Sequence, residues 1–270
     1  MKIKILIPIY NDWQSVFKLL ENINSEISNL GHEFSVIIVN DASTESKPEM
    51  TTNLDNLNSI KIINMRENRG HARCNATGLK HIFENEEFDY VIPMDGDGED
   101  RPEEIKQLVD NLNYHPDKPI VGERIKRSEG IFFKLCYFIH KLITYTFTGQ
   151  SIKFGNYSCL PKSIVERMIN EKATWSSFSG ALAKVSKDRA TIPSERGSRY
   201  FGPSKMSFKN LTIHSLAIIS VFKFNVLLRS IMFLIVYMFL IHQKISIIML
   251  IPFPLIILLV VLVFLTSKRE

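Results

Sequence analysis

Between Val226 and Leu265 the sequence carries two fully charged side chains, Arg229 and Lys244, in an otherwise apolar run. His242-Gln243-Lys244 divides it into two apolar segments, Val226–Ile241 and Ile245–Leu265. At ~1.5 Å per residue the second spans a hydrocarbon core about 30 Å thick, and the first does so with help from flanking residues. Two antiparallel membrane helices are therefore expected. Pro252 and Pro254 should kink the second, as membrane helices tolerate, and Arg229 should snorkel to the headgroups. A hairpin leaves Lys223, Arg229, Lys268 and Arg269 on one side and Lys244 on the other, so the positive-inside rule makes the first side cytoplasmic. A buried soluble hairpin is disfavoured, because little polar sequence remains to cover it.

The preceding residues have the composition of a soluble protein. Met206–Phe224 is an amphipathic candidate, with Phe208, Leu211, Ile213, Leu216, Ile219 and Phe222 set among Lys209, His214 and Lys223. The expected organisation is thus a catalytic domain at 1–205, a juxtamembrane segment at 206–224 and a two-helix hairpin at 225–267. Residues 131–147 are apolar and aromatic, but Lys134, His140 and Lys141 interrupt them, so a packed helix is favoured over a span. The formal charge is +5, with basic clusters at Arg124–Arg127, Lys184–Arg199 and Lys205–Lys209 that suit phosphates or an anionic membrane surface. No nucleic-acid-binding signature accompanies them, so nucleic acid is not an expected partner. Cys74, Cys136 and Cys159 show no zinc or redox spacing, which suits free thiols in a reducing compartment. The start, Met1-Lys-Ile-Lys-Ile-Leu-Ile-Pro8, lacks the apolar core of a signal peptide. The expectation is an integral protein of the cytoplasmic membrane with a cytosolic amino-terminal domain.

That domain reads as alternating strands and helices. Phe34–Asn40 is a short continuous apolar run, the pattern of a strand buried on both faces; residues 3–9 are β-rich, and 60–64 and 88–94 offer two more strands. Between them, Trp13, Val16, Phe17, Leu20, Ile23 and Ile27 recur at helical spacing, and His71–Phe83 and Pro102–Leu112 also read as helices. The fold class is α/β with a mostly parallel sheet. Such sheets bind ligands beyond the carboxyl ends of their strands. Three strand ends carry ligand-like residues: Tyr10-Asn11-Asp12, Asn40-Asp41-Ala42-Ser43 and Asp95-Gly96-Asp97.

The last of these extends to Glu99. An apolar strand delivers Asp95 and Asp97, then Glu99 at the same interval, with Gly96 and Gly98 allowing close backbone approach to a ligand. Hard divalent cations, Mg2+ or Mn2+, take oxygen ligands and share them with substrate phosphates. Such a cation would clamp a diphosphate and neutralise charge on a departing nucleotide. Taken alone the three carboxylates also fit a solvated acidic turn; their place at a strand end beside two others gives them weight.

With these motifs in order, the chain resembles the family-two glycosyltransferases of GT-A fold, especially polyprenyl-phosphate sugar transferases. The resemblance rests on Pro8-Ile-Tyr-Asn11, Asn40-Asp41-Ala-Ser43, Glu67-Asn68-Arg69-Gly70, Asp95-Gly-Asp97-Gly-Glu99, Val121-Gly122-Glu-Arg124 and Arg199-Tyr-Phe-Gly202-Pro-Ser204-Lys205, followed by paired apolar helices. It implies that Pro8, Tyr10, Asn11 and Asp12 line a nucleotide pocket and that Asp41 accepts hydrogen bonds from base or ribose. It implies Asp95 near ribose and metal, Asp97 and Glu99 as metal ligands, and Arg124 with Arg127 facing an acceptor phosphate. Arg199, Ser204 and Lys205 would close over the diphosphate from a loop made mobile by Gly197 and Gly202.

The family usually has Glu at Asp12, Gly at Ala42 and Gln at Glu99. A larger departure is Gly155-Asn156-Tyr157-Ser158, where relatives often carry Gly-Asp-Phe-Arg. Asn156 cannot serve as a base but can hydrogen-bond a sugar hydroxyl. A lipid phosphate is already anionic and needs little base assistance, whereas a hydroxyl acceptor would need it. The implied activity is inverting transfer from a nucleoside diphosphate sugar to a polyprenyl phosphate at the cytosolic membrane face. Transfer to a glycan hydroxyl, and a nucleotide-binding scaffold without turnover, remain alternatives. A nucleotidyltransferase is disfavoured, since no Gly-rich loop followed by Arg or Lys opens the chain. Oligomeric state is left open, although short membrane hairpins often associate.

Overall fold

The computed structural model describes residues 1–49, 52–126, 131–203, 208–243 and 245–268. The chain divides into two compact units, Met1–Ser128 with Lys153–Lys205, and Glu129–Ile152 with Met206–Glu270. This differs from a continuous domain over 1–205: residues 129–152 group with the carboxyl-terminal helices instead.

The first unit is built on a seven-stranded sheet. In chain order its elements are β1 (Lys2–Ile9), α1 (Trp13–Glu26), β2 (Glu33–Asn40), β3 (Leu57–Asn64), α2 (His71–Asn85), β4 (Tyr90–Pro93), α3 (Ile105–Asp110) and β5 (Ile120–Lys126). After the helix α4 (Ile131–Thr148), which belongs to the second unit, come β6 (Phe154–Pro161), α5 (Lys162–Asn170), α6 (Phe178–Val185) and β7 (Ala190–Glu195). The strand order is β3-β2-β1-β4-β6-β5-β7. The pairs β1/β2, β2/β3, β1/β4 and β5/β7 are parallel, and β6 runs antiparallel to both neighbours.

Strand β1 explains the layering. Ile3, Ile5, Ile7 and Ile9 alternate onto one face, where they join Val16, Leu20 and Ile23 of α1 and Ile105 and Leu108 of α3 in one buried cluster. Leu6 points to the other face, against Gly78 of α2, where even an added methyl would lie 2.2 Å from the Leu6 side chain. Strands covered on both sides are buried along their length, as β1 and β2 are after their first residue.

This topology makes the functional edge. The carboxyl ends of β1, β2 and β4 share one side of the sheet because the three strands are parallel. Since β6 runs the other way, it begins at that edge, and β5, antiparallel to β6, ends there.

The second unit consists of α4, α7 (Phe208–Ser220), α8 (Lys223–Ile241) and α9 (Pro252–Ser267). Its small core holds Ile219, Val226 and Val263, with Ile143, Phe147, Leu259 and Val260 packed against it. Two helical stretches, Lys223–Ile241 and Ile248–Ser267, are long and apolar enough to cross a membrane, with mean hydropathies of 2.2 and 3.2. Pro252 and Pro254 fall near the start of the second. They lie in the first turn of α9, where a missing N–H costs nothing, and a 3-10 turn at Ile248–Leu250 leads into it. Arg229 Nη1 donates to the Thr146 carbonyl at 3.0 Å, satisfying the carboxyl end of α4 beside Gly149. Asn225 donates to the Thr148 carbonyl in the same place. Helix α7 does not keep a simple amphipathic stripe, because Ala217, Ile218, Ile219 and Ser220 are all buried at its end. In α4, Phe138, Ile139, Leu142 and Tyr145 are exposed while Thr144 and Thr148 are buried.

Candidate active site

The loops at the strand ends are tied to one another before any ligand is considered. Asn11, held at φ 50°, donates its N–H to Ser43 Oγ (2.9 Å) and accepts at Oδ1 from the Thr44 N–H (2.8 Å), so the loops after β1 and β2 form one surface. Pro8 is buried within β1, and Tyr10 stands at its end, 41% exposed. Asp41, buried at the end of β2, accepts the Arg69 and Gly70 N–H groups at 2.7 and 2.8 Å, one on each carboxylate oxygen. It thus anchors the Glu67–Gly70 loop that starts α2. The Cys74 thiol of α2 also hydrogen-bonds this carboxylate. Ala42 adopts φ 55°, a left-handed conformation that accounts for a glycine being usual there.

The acidic loop follows β4. The Asp95 N–H is received by Asp100, which is buried. Asp95 Oδ1 lies 3.0 Å from His71 Nε2 and 3.3 Å from Asn156 Nδ2, so the start of α2 and the start of β6 meet at this carboxylate. Burial would raise the Asp95 pKa, but the adjacent imidazole outweighs it and holds the carboxyl below its usual range. His71 shows the reciprocal effect: burial lowers its pKa, but the charge and hydrogen bond of Asp95, together with the charges of Asp100 and Asp97, outweigh it, so the net shift is upward. Asp97 is pushed up to about 6, by burial first and by the Asp95 charge second. Asp100 is also pushed up, for the same two reasons. Three carboxyl groups are crowded here with less positive charge than they could use.

Two arginines partly meet that demand. Arg199 donates from Nη1 to Asp97 Oδ2 at 2.5 Å and from Nη2 to Asp12 Oδ2, bridging the ends of β4 and β1. Arg196 pairs with Glu99. The segment carrying them is fastened by its backbone, with the Gly197 N–H on the Glu99 carbonyl (2.9 Å) and the Tyr200 N–H on the Asp97 carbonyl (3.0 Å). Gly98, at φ 89°, leaves room for the Tyr200 ring, whose edge would lie 2.5 Å from an added Cβ. Arg124, at the end of β5, passes beside Gly155, where a Cβ would sit 3.0 Å from its Nη2, and its charge acts on Asp95 and Asp100.

The strand-end edge therefore gathers Asn11, Asp12, Asp41, Asp95, Asp97, Glu99, Arg124, Asn156 and Arg199. Arg127, Ser204 and Lys205 lie outside the described residues. A three-carboxylate cage from Asp95, Asp97 and Glu99 is not assembled: among the described residues no group of three His, Cys, Asp or Glu side chains is arranged to hold a metal ion. Instead Glu99 turns to Arg196, Asp95 to His71 and Asp97 to Arg199. That set fits a hard cation taking its remaining ligands from a diphosphate and water. His71, Arg196, Tyr200 and Asp100 escaped the motif reading. The placement of His71 directly after Gly70, at the start of a helix facing the strand ends, is a signal that could have found it.

The comparisons agree with this architecture. The model of glycosyl transferase family 2 matches residues 4–165. An undecaprenyl-phosphate 4-deoxy-4-formamido-L-arabinose transferase of Klebsiella pneumoniae is 30% identical over 221 residues, covering 78% of this chain and 64% of that relative. The chain thus spans slightly under two thirds of the length of such curated relatives. Glucosyl-3-phosphoglycerate synthase from Mycobacterium tuberculosis, solved with Mn2+, UDP and phosphoglyceric acid, superposes with a TM-score of 0.62 at 11% identity, over 83% of this chain and 78% of that one. The mannosyltransferase PcManGT from Pyrobaculum calidifontis, solved with GDP-Man and Mn2+, does so at 0.55 and 12% identity, over 98% and 86%. These structural likenesses speak for the shared GT-A fold alone. The family match covers more than half of the chain and includes the acidic loop, and the protein is a member of glycosyl transferase family 2.

Proposed function

We propose that the protein transfers a sugar, with inversion, from a nucleoside diphosphate sugar to a polyprenyl phosphate at the cytosolic face of a membrane. The observation that carries the donor half is the convergence of Asp12, Asp95 and Asp97 with Arg124 and Arg199 at one sheet edge. The acceptor half is supported by the lipid phosphate in the name of the Klebsiella relative and by two helices long enough to span a bilayer.

In this reading Asn11, Asp12 and Asp41, with Pro8 and Tyr10 beside them, receive the nucleotide. Asp97, with Asp95 behind it, would hold a divalent cation, Mg2+ or Mn2+, which when bound would supply Lewis-acid neutralisation of the leaving diphosphate. Arg199, with Ser204 and Lys205, grips the diphosphate as a charge-assisted donor set. Arg124, with Arg127, faces the acceptor phosphate. Asn156, already oriented by Asp95, offers its amide to a sugar hydroxyl. A phosphate oxygen of the lipid attacks the anomeric carbon as the bond to the nucleoside diphosphate breaks on the opposite face. The nucleophile is an anion, so no general base is needed, and positioning with charge stabilisation supplies most of the rate. The hairpin, with α7 and the exposed apolar side of α4, keeps the chain at the bilayer where the lipid headgroup arrives.

The test uses the purified full chain with Mn2+, a panel of radiolabelled UDP- and GDP-sugars, and undecaprenyl phosphate. Label in an acid-labile lipid monophosphate is expected. Label solely in an acid-stable glycan or glycolipid contradicts the acceptor assignment, and no turnover with any donor contradicts the whole reading.

A further inference from the structure

Arg199 is bonded in an incomplete way that its surroundings explain. Asp97 commits Oδ1 to the Glu99 N–H (3.0 Å) and Oδ2 to Arg199 Nη1 (2.5 Å). Nη2 of the same guanidinium reaches Asp12, on a different loop. Nε is buried and has no hydrogen-bond partner among the described residues. A guanidinium is a rigid planar fork with five donors, best matched by a planar or tetrahedral anion that takes two at once. Here it straddles two separate carboxylates and leaves a buried donor unspent, which costs free energy.

The backbone around Arg199 is fixed independently of its side chain. Gly197 and Tyr200 bond the carbonyls of Glu99 and Asp97, Asn22 donates to the Tyr200 hydroxyl at 2.8 Å, and Arg196 holds Glu99. Release of the Arg199 side chain from Asp97 therefore does not require the segment to leave the acidic loop.

We infer that Arg199 is a stand-in cation: without nucleotide it covers the Asp97 oxygen that a divalent cation would use, and it moves onto the diphosphate when metal and nucleotide bind together. The inference rests on the donor-site reading above. A divalent cation arriving alone must displace a half-buried guanidinium from two carboxylates and leave two positive charges side by side. A nucleoside diphosphate removes that conflict, since it brings negative charge to the cation and an acceptor fork to Arg199. Metal and nucleotide then favour one another reciprocally, as linkage requires.

The experiment measures Mn2+ binding to the purified full chain by the electron paramagnetic resonance of free Mn2+, without nucleotide and with UDP or GDP, against nucleotide-only blanks. Wild type should bind Mn2+ weakly alone and about tenfold or more tighter with one of the nucleotides. Arg199→Gln should bind Mn2+ alone about tenfold tighter than wild type and lose a similar factor of nucleotide enhancement. Arg199→Lys, which keeps the charge but cannot span both carboxylates, should fall between. Arg101→Gln removes the same charge nearby from a side chain facing Glu103 and Glu195, and should match wild type. Unchanged or weaker Mn2+ binding by Arg199→Gln overturns the inference, as does equal tightening in Arg101→Gln, which would mark a net-charge effect. If Arg199→Gln fails to fold, as judged by thermal unfolding, Arg199→Lys decides: tightening supports the exchange and wild-type affinity overturns it. Enhancement in wild type with no change in the variants sinks this inference alone, whereas a wild type that takes up no Mn2+ with either nucleotide sinks the donor-site reading too.

Discussion

Phe34 in β2 and Phe239 in α8 are the same side chain in opposite circumstances, one fully buried and the other 72% exposed. The contrast runs through both units. The sheet unit encloses Ile3, Ile5, Leu6, Ile7 and Val36 completely, whereas α8, α9 and the turn between them expose Leu240, Ile247, Ile248 and Leu258. Apart from Ile247, those exposed side chains belong to the two helical stretches that are long and apolar enough to cross a membrane. Polar groups divide the other way. In the sheet unit Glu104 is buried and paired, taking the Ser194 hydroxyl at 2.7 Å and the Glu195 N–H at 2.8 Å. In the helical unit Lys223, Asn225 and Arg229 sit in the first turns of α8, where Lys223 reaches Ser267 at the carboxyl end of α9. One unit buries its apolar side chains and gathers charged groups at one sheet edge, whereas the other exposes apolar helices that carry these polar side chains at one end.

Deleting the same ring in each place should break the symmetry most visibly. Phe34→Ala should cost the sheet unit about 3–5 kcal/mol, read as a large fall in its unfolding midpoint, while Phe239→Ala in detergent should stay within about 0.5 kcal/mol. Equal effects would mean that the α8 ring is buried in some protein interface. The reverse experiment adds charge. Leu258→Arg, in the middle of α9, should cost about 3 kcal/mol of insertion and shift protein out of the membrane fraction, whereas Tyr114→Arg, at an even more exposed site of the sheet unit, should be within about 0.5 kcal/mol. Full membrane recovery of Leu258→Arg would contradict a spanning helix.

Two smaller changes probe the edge itself. Gly98→Ala meets a left-handed φ and the Tyr200 ring together, so about 2 kcal/mol of stability should be lost, and Asn22→Ala in the same background should add less than it does alone. Ala42→Gly removes the φ 55° penalty but loosens the unfolded chain, leaving a net gain of about 0.5 kcal/mol in thermal unfolding. A loss there would show that the Ala42 methyl makes a contact worth more than its strain.

What could be read from the sequence follows the same division. Strands β1, β2 and β4 were legible because parallel strands covered on both faces are mostly apolar, with few polar interruptions, and are bounded by polar ends. Strand β7 was not, since at the sheet edge it alternates half-buried, exposed and buried residues over six positions. The antiparallel course of β6, which brings Asn156 to Asp95, is a tertiary fact with no local pattern. The acidic loop was legible as a motif, but its partners were not, because His71 and Arg196 reach it from distant chain positions. Asp41 shows the limit of motif reading: its carboxylate is also the anchor of the next loop, a role that spacing does not reveal. The prolines of α9 show a similar limit, since the same residue kinks a helix or opens it according to where the first turn falls.

The central claim is that the edge built on Asp97 performs the transfer, and Asp97→Asn tests it most directly. The substitution keeps the shape and removes the charge, so radiolabelled sugar transfer to undecaprenyl phosphate in saturating Mn2+ should fall by roughly a hundredfold or more while the unfolding midpoint is maintained or raised. Transfer at the wild-type rate by a folded Asp97→Asn protein would contradict the account.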